Sequence, residues 1–419
     1  MPLVGEFTPP GDKSISHRLI LMSLLAEGEM LVQGLSSCLD VLSSLSVFRA
    51  LGGIAREEPQ GLRLFGLNRA WLSGERDLDC GNSGTTMRLL CGILAGAPGA
   101  HVLDGDAQLR RRPMERVAEP LRAMGAKVET HGGKPPVMIQ GGALTPQSFH
   151  PSDASAQLKG AILLAGLSAQ GGPTTIAEIA ATRAHTERLI SHFGGHVTAE
   201  GLKVTVYPGT LTLTPTFVTP ADPSSAAFFL TGAALIPGSS VTAKGVLLSP
   251  GRVGFLRVLE RMGASISLSM TSDVPEPMGD VTVAYAGALT ATEVPAEEIP
   301  SLIDEIPILA LAATRAEGTT VFRAVDELRI KETDRLMSIR HQLGALGARA
   351  RVDGDDLHVE GPTSFILPES LDSGADHRLA MTLTMALLMA GATRPILGDE
   401  SIAISYPTFL KDLEALCQE

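Results

Sequence analysis

The sequence predicts an α/β protein of two similar domains, each built from three repeats of about 70 residues. Three observations carry this. An apolar helix opened by polar, cap-like residues recurs six times. A second phrase, a helix end followed by glycine and a short alternating strand, recurs in step with it. The 419-residue chain, 44% apolar with 44 glycines and 4% aromatics, has the size and composition for two close-packed α/β cores.

The first helix follows "PPGDKSISHRLILMSLL". Pro9, Pro10 and Gly11 break structure, Asp12 or Ser14 can cap, and Leu19, Ile20, Leu24 and Leu25 follow at helical spacing. Equivalent helices open in "NSGTTMRLLCGILAG" from 82, "SDASAQLKGAILLAGL" from 152, "ADPSSAAFFLTGAAL" from 221, "IDEIPILALAA" from 303 and "ADHRLAMTLTMALLMAG" from 375. They are apolar nearly all round, which predicts burial inside each domain. The second phrase runs "FRALGGIARE" (48–57), "LRAMGAKVET" (121–130), "ISHFGGHVTAE" (190–200), "LERMGASISL" (259–268) and "LGALGARARV" (343–352). Its glycine is a helix C-cap in the left-handed region, where a Cβ would clash. Alternating stretches such as "LKVTVYPGTLTLTP" (202–215) read as strands. The C-terminal "LKDLEALCQE" is a sixth copy that stops before its strand, so residues 1–11 are expected to lend a strand to the second half. With the break at the Pro-rich "PTFVTPADP" (215–223), the domains are 12–219 and 1–11 plus 220–419.

A net charge of −12 argues against a nucleic-acid or anionic-membrane partner. Cys38, Cys80, Cys91 and Cys417 are scattered without CxxC pairing and read as reduced thiols of a cytoplasmic protein. The N-terminus has no signal-peptide pattern, and the uncharged run 223–243 is interrupted by Pro237-Gly238-Ser239-Ser240, a poor membrane span. His192 and His196 have i,i+4 spacing, but Gly194 and Gly195 intervene, so no metal site is expected there.

A helix N-terminus carries unpaired N–H groups and the positive end of the macrodipole. Cations placed there call for an anion. If the six buried helices run parallel, three per domain, their N-termini can open on one interdomain cleft. The polar residues at those starts then form a constellation: Lys13, Ser14, Arg18, Asn82, Gly84, Thr85, Arg88, Ser155, Gln157, Asp304 and Arg378. Further cations are the Arg110-Arg111-Arg112 run, Arg183, Lys331 and Arg335, and anionic partners for all of the cations are not obvious nearby in sequence. Several phosphates and carboxylates would account for them. Asp304 and Glu332 are the carboxylates among these cations, fit for proton transfer at a hydroxyl and at carbon; Lys13 can also act as acid or base. Each has a plainer reading. The triple Arg can be a solvated loop, Lys331-Glu332 an exposed helix-face pair, and Asp304 or "NSGT" a helix cap.

The motifs "PGDKSISHR", "GNSGTTMRLL", "RRPM", "SAQLKGAILLAGL", "IDEIPILALAA", "IKETDRL" and "DHRLAM", in this order along nearly the whole chain, resemble the 3-phosphoshikimate 1-carboxyvinyltransferase family of enolpyruvyl transferases. The resemblance implies a two-domain inverse α/β barrel of six βαβαββ units. It implies enolpyruvyl transfer from phosphoenolpyruvate to the 5-hydroxyl of shikimate 3-phosphate, with phosphate released, through a tetrahedral intermediate and without metal, cofactor or covalent adduct. Carried over by motif, Lys13, Ser14 and Arg18 hold both substrates. Gly84, Arg112, Arg335 and Arg378 hold phosphoenolpyruvate, beside Asn82, and Gln157 lies between the two substrates. Ser155, Arg183 and Lys331 hold shikimate 3-phosphate. Asp304 deprotonates the 5-hydroxyl, Glu332 protonates the methylene carbon, and Lys13 serves the departing phosphate. The partners implied are these small molecules alone, met by a monomer.

One departure is visible: relatives often carry a lysine shortly before the C-terminal Phe-Pro segment, and "AISYPTFLKDL" has none before Tyr406. The "SAQLKGAILLAGL" and "RPM" patterns resemble the branch tolerant of glyphosate, whereas Gly84 is the small residue of sensitive relatives. The sister UDP-N-acetylglucosamine enolpyruvyltransferases use a loop cysteine where this chain has "GDAQLRRRPMERV" and none. A non-catalytic binder of phosphorylated metabolites is the alternative from another class; Asp304 and Glu332 among the cations weigh against it.

Overall fold

The computed structural model describes residues 1–69 and 74–417. Gln418 and Glu419, the end of the sixth repeat phrase, lie outside the described residues. The chain divides into two compact units, Gly11–Thr219 and Met1–Pro10 with Pro220–Glu419.

The second repeat of the Gly11–Thr219 unit shows the plan. Strand Glu75–Asp79 leads through helix Gly84–Ala95 to strand Gly99–Asp104, then helix Glu115–Ala123 and the hairpin Lys127–His131 and Lys134–Gly141. The first two strands pair in parallel, in the register Glu75↔Ala100, and the remaining pairs are antiparallel. A parallel pair needs a crossover, which the buried helix supplies. The third repeat repeats this with Ser148–Phe149, Thr174–Ala177, Lys203–Val206 and Val197–Glu200 in spatial order. In the first repeat, the leading strand Thr216–Val218 comes from the far end of the unit and pairs in parallel with Glu29–Gln33.

The other unit uses the same device. Val4–Phe7 pairs in parallel with Ser240–Leu247, in the register Val4↔Ser240, so the N-terminal residues complete a sheet of the C-terminal half. Glu293–Val294 leads the next sheet, on Gly318–Phe322. Among the described residues the last repeat keeps only the parallel pair Leu371–Asp372 and Ile396–Leu397, followed by helix Phe409–Leu416.

The six apolar helices form the cores. Helices Lys13–Met22, Gly84–Ala95 and Ala156–Gly166 are buried from their first or second turn onward in one unit, and Pro223–Leu235, Ile306–Ala313 and His377–Met389 in the other. Small residues let them approach closely: a methyl on Gly92 would overlap the Ala161 carbonyl. Gly52, Gly125, Gly194, Gly263 and Gly347, the glycines of the second phrase, have φ of 91°, 109°, 79°, 100° and 86°. Each ends an outer helix in the left-handed region, where any other residue would be strained.

Candidate active site

In the Gly11–Thr219 unit the starts of the three buried helices are joined by side chains. Asp12 caps the first, accepting from Ile15 N at 2.8 Å, so Asp12 and not Ser14 is the cap. Lys13 Nζ lies 2.9 Å from Asp40 Oδ2. Arg18 is buried and donates Nε to Thr186 Oγ1 at 2.8 Å and Nη1 to the Ser14 carbonyl at 2.8 Å. His17 Nδ1 meets Ser44 Oγ at 2.8 Å, and Ser44 Oγ meets Thr86 Oγ1 at 2.7 Å. Burial, followed by the charges of Lys13 and Arg18, holds the His17 pKa well below its ordinary value, so the imidazole is neutral.

Ser83 caps helix Gly84–Ala95, accepting from Thr86 N at 3.1 Å, and Ser155 caps Ala156–Gly166, accepting from Leu158 N at 3.3 Å. Arg88, nearly fully buried, donates Nη1 to Gln157 Oε1 at 2.5 Å and Nη2 to the Pro113 carbonyl at 3.1 Å. Gln157 Nε2 donates to Thr85 Oγ1 at 2.9 Å. Arg112 Nη2 donates to Asn82 Oδ1 at 3.1 Å, and Asn82 Nδ2 to Asp106 Oδ2 at 2.7 Å and Gln108 Oε1 at 2.8 Å. Gly84 stands between the two guanidiniums: a Cβ there would lie 3.0 Å from Arg88 Nη1 and 3.2 Å from Arg112 Nη1. The result is a side-chain-free helix start flanked by two fixed cations, a geometry suited to an anion.

The other unit gathers Asp304, Glu332, Arg335 and Arg378. Arg335 is 1% exposed and Asp376 fully buried. Arg335 Nε donates to Asp376 Oδ2 at 2.7 Å, Nη2 pairs with Glu332, and Nη1 lies 3.8 Å from Asp304 Oδ1. Burial disfavours this guanidinium's charge, but Asp376, Glu332 and Asp304 outweigh it and raise its pKa. Arg378 Nη2 lies 3.8 Å from Asp304 Oδ2, and its Nη1 donates to the Asp304 carbonyl at 3.3 Å. Asp304 is thus an anion held at ion-pair distance from two guanidiniums.

Several sequence expectations are corrected here. The cations do have anionic partners: some come from elsewhere in the chain, Asp40 for Lys13 and Asp376 for Arg335, and others are local, Glu327 for Lys331, Glu332 for Arg335 and Asp104 for Arg110. Asp304 is not the helix cap; that position belongs to Glu305, which makes no side-chain cap bond. Lys331 does not pair with Glu332: its Nζ lies 3.0 Å from Glu327, while Glu332 turns to Arg335. Of the triple Arg, Arg110 forms an exposed pair with Asp104 at 2.5 Å and Arg111 is exposed, so only Arg112 reaches the cluster. Arg183 sits half-buried just before helix His185–His192. The sequence reading missed Asp40, Thr186 and Asp376. Asp376 alone had a signal, an Asp immediately before an apolar run; it accepts from Arg378 N and Leu379 N.

Among the described residues, no cluster of three His, Cys, Asp or Glu could hold a metal, and no helix is long and apolar enough to cross a membrane. His196 stacks on Tyr207, and the His192 ring packs on Phe217. Burial raises the Cys80 thiol pKa and pushes that of Cys91 up to about 12, which leaves both unreactive.

The fold is that of the enolpyruvyl transferases. A crystal structure of the enolpyruvyl transferase NikO from Streptomyces tendae matches 99% of this chain and 95% of its own with a TM-score of 0.77 at 18% identity. The family model described as EPSP synthase (3-phosphoshikimate 1-carboxyvinyltransferase) matches residues 1–413. An EPSP synthase structure from Acinetobacter baumannii aligns with a TM-score of 0.85 and 37% identity, over 99% of this chain and 96% of that one. A 3-phosphoshikimate 1-carboxyvinyltransferase of Geobacillus kaustophilus is 43% identical, over 99% of this chain and 98% of its own; one from an Anaeromyxobacter species is 44% identical, over 100% and 97%. The chain belongs to the EPSP synthase family.

Proposed function

We propose that this enzyme transfers the enolpyruvyl group of phosphoenolpyruvate to the 5-hydroxyl of shikimate 3-phosphate and releases phosphate, in the shikimate pathway to chorismate and the aromatic amino acids. The observation that supports it best is the Gly84 helix start, with the Arg88 and Arg112 guanidiniums on either side. Phosphoenolpyruvate brings a phosphate and a carboxylate, and rigid forked guanidiniums match both.

The roles we infer are those carried over by motif from the family. Lys13, Ser14 and Arg18 hold both substrates. Gly84, Asn82, Arg112, Arg335 and Arg378 serve phosphoenolpyruvate, with Gln157 between the substrates. Arg335 offers little beyond Nη1, since Nε and Nη2 are committed to Asp376 and Glu332. Ser155, Arg183 and Lys331 hold shikimate 3-phosphate.

In the addition step, Asp304 takes the proton of the 5-hydroxyl as its oxygen attacks C2 of phosphoenolpyruvate. Glu332 delivers a proton to the methylene carbon, giving the tetrahedral intermediate. In the elimination step, the Glu332 carboxylate left by the addition takes back a methyl proton, the C–H electrons re-form the C=C bond as the C–O bond to phosphate breaks, and Lys13 serves the departing phosphate. Fixed cations compensate charge throughout without reorganising. We place the enzyme in the cytoplasm as a monomer that needs no cofactor and no macromolecular partner.

The test is phosphate release from phosphoenolpyruvate with two acceptors in parallel. Release with shikimate 3-phosphate and none with UDP-N-acetylglucosamine is expected. The reverse pattern would assign the sister reaction, and binding without release would mark a non-catalytic binder.

A further inference from the structure

Lys159 is a buried charge to which none of these roles is given. It is 2% exposed, on helix Ala156–Gly166. Its Nζ lies 2.8 Å from Glu178 Oε2 and 2.7 Å from Glu187 Oε1, and both carboxylates are themselves buried in large part. Desolvating three ionised groups is costly, and an apolar side chain of the same size would fill the space as well. The cluster therefore calls for a purpose beyond packing.

Its connections supply one. Glu178 follows strand Thr174–Ala177 and accepts from Thr182 Oγ1, the residue before Arg183. Glu187 stands in the first turn of helix His185–His192, next to Thr186, which receives Arg18 Nε. Lys159's own helix begins at the Ser155 cap and carries Gln157. Gly160 presses that helix on the same place: a Cβ there would lie 2.9 Å from Thr186 Oγ1. One ammonium thus ties together the three segments that carry Ser155, Gln157, Arg183 and the anchor of Arg18. Gly84 and Arg112 belong to a different repeat, with its own network through Asn82 and Gln108, joined to Lys159's helix through the bonds of Gln157 to Arg88 and Thr85.

We propose that Lys159, with Glu178 and Glu187, is a positioning residue for the acceptor: it sets the spacing of Ser155 and Arg183, and so the affinity for the phosphorylated cyclohexene substrate rather than for phosphoenolpyruvate. This rests on the assignment of Ser155 and Arg183 to shikimate 3-phosphate.

The test uses the full chain with two variants. Lys159→Met/Glu187→Gln keeps the cluster's net charge but leaves Glu178 buried without its cation, so its melting temperature should fall. Lys159→Arg keeps the cation but spreads the carboxylates. Each is melted first, then titrated calorimetrically with shikimate 3-phosphate alone below its transition. The KM for phosphoenolpyruvate is then measured at saturating acceptor. The dissociation constant for shikimate 3-phosphate should rise about 10- to 100-fold in the double variant and less in Lys159→Arg. The KM for phosphoenolpyruvate should rise distinctly less, since Gly84, Arg112, Arg335 and Arg378 are held by other contacts and only Arg18 and Gln157 are shared. Unchanged acceptor affinity in the folded variants, or equal rises for both substrates, would overturn the proposal and leave a structural staple. Wild-type protein that fails to bind shikimate 3-phosphate would instead overturn the functional reading, and this inference with it.

Discussion

Gly84→Ala probes the start of the second buried helix with one methyl group. The glycine backbone is not in the left-handed region, so alanine fits conformationally and favours the helix. The conflict is local. The new Cβ would sit 3.0 Å from Arg88 Nη1 and 3.2 Å from Arg112 Nη1, where ordinary contact begins at 3.4 Å. A long side chain could usually swing aside by a few tenths of an ångström. Here Arg88 is buried and tied to Gln157 at 2.5 Å and to the Pro113 carbonyl at 3.1 Å, and Arg112 is tied to Asn82. The displacement therefore falls on the face proposed to meet phosphoenolpyruvate. A misplaced methyl in a ligand pocket is worth about 1–3 kcal/mol of binding, roughly 5- to 150-fold in a binding constant. Phosphoenolpyruvate is compact and glyphosate longer, so the inhibitor should lose more than the substrate. The assay is a pair of titrations on the two purified proteins: KM for phosphoenolpyruvate, and the inhibition constant of glyphosate against it. The melting temperature should change little. Equal weakening of both ligands would make Gly84 a packing glycine, and no effect on either would place it outside the site.

Asp304→Asn and Glu332→Gln should each lower turnover by about two to four decades with substrate binding largely kept; in Glu332→Gln, deuterium uptake from heavy water into the phosphoenolpyruvate methylene should slow in parallel, and near-normal exchange would remove Glu332 from the proton-donor role. Asp376→Asn breaks a buried ion pair, 1% and 0% exposed in its two side chains, and should cost about 3–5 kcal/mol, read by urea unfolding; a loss under 1 kcal/mol would show that Glu332 alone can hold Arg335. His17 is neutral when folded, whereas the unfolded imidazole titrates near 6.5. Its contribution is therefore present above that pH and is lost as pH falls below it, at up to about 1.4 kcal/mol per pH unit. His17→Asn should flatten the dependence of melting temperature on pH between roughly 6.5 and 5, and an unchanged slope would assign that dependence to His101 and His192, whose pKa values burial also lowers.

The repeat plan was legible because its causes are local. A cap followed by an apolar run makes a buried helix, and a glycine after an outer helix marks a position of positive φ; both recur at regular spacing in "KSISHRLILMSLL" and "LRAMGAKVET" alike. Helix starts attract polar residues for the same local reason, so Lys13, Gly84, Ser155 and Arg378 could be picked out along the chain. The partners of those residues could not. Asp40 lies 27 residues from Lys13, Asp376 lies 41 from Arg335, and Thr186 lies 168 from Arg18. A solvated charge pair and a buried one look the same in sequence, which is why the Arg110–Asp104 surface pair and the buried Arg335–Asp376 pair could not be told apart. Burial and direction decide between them, and both arise when separate repeats pack. Only the tertiary structure turns Lys331 toward Glu327, gives Glu332 to Arg335, and encloses Lys159 between Glu178 and Glu187. Helix and strand periodicity records which face of a segment is covered; the identity of the covering group is settled by how segments pack on one another, within a repeat for Lys13 and Asp40 and between repeats for Arg335 and Asp376, which no local pattern encodes.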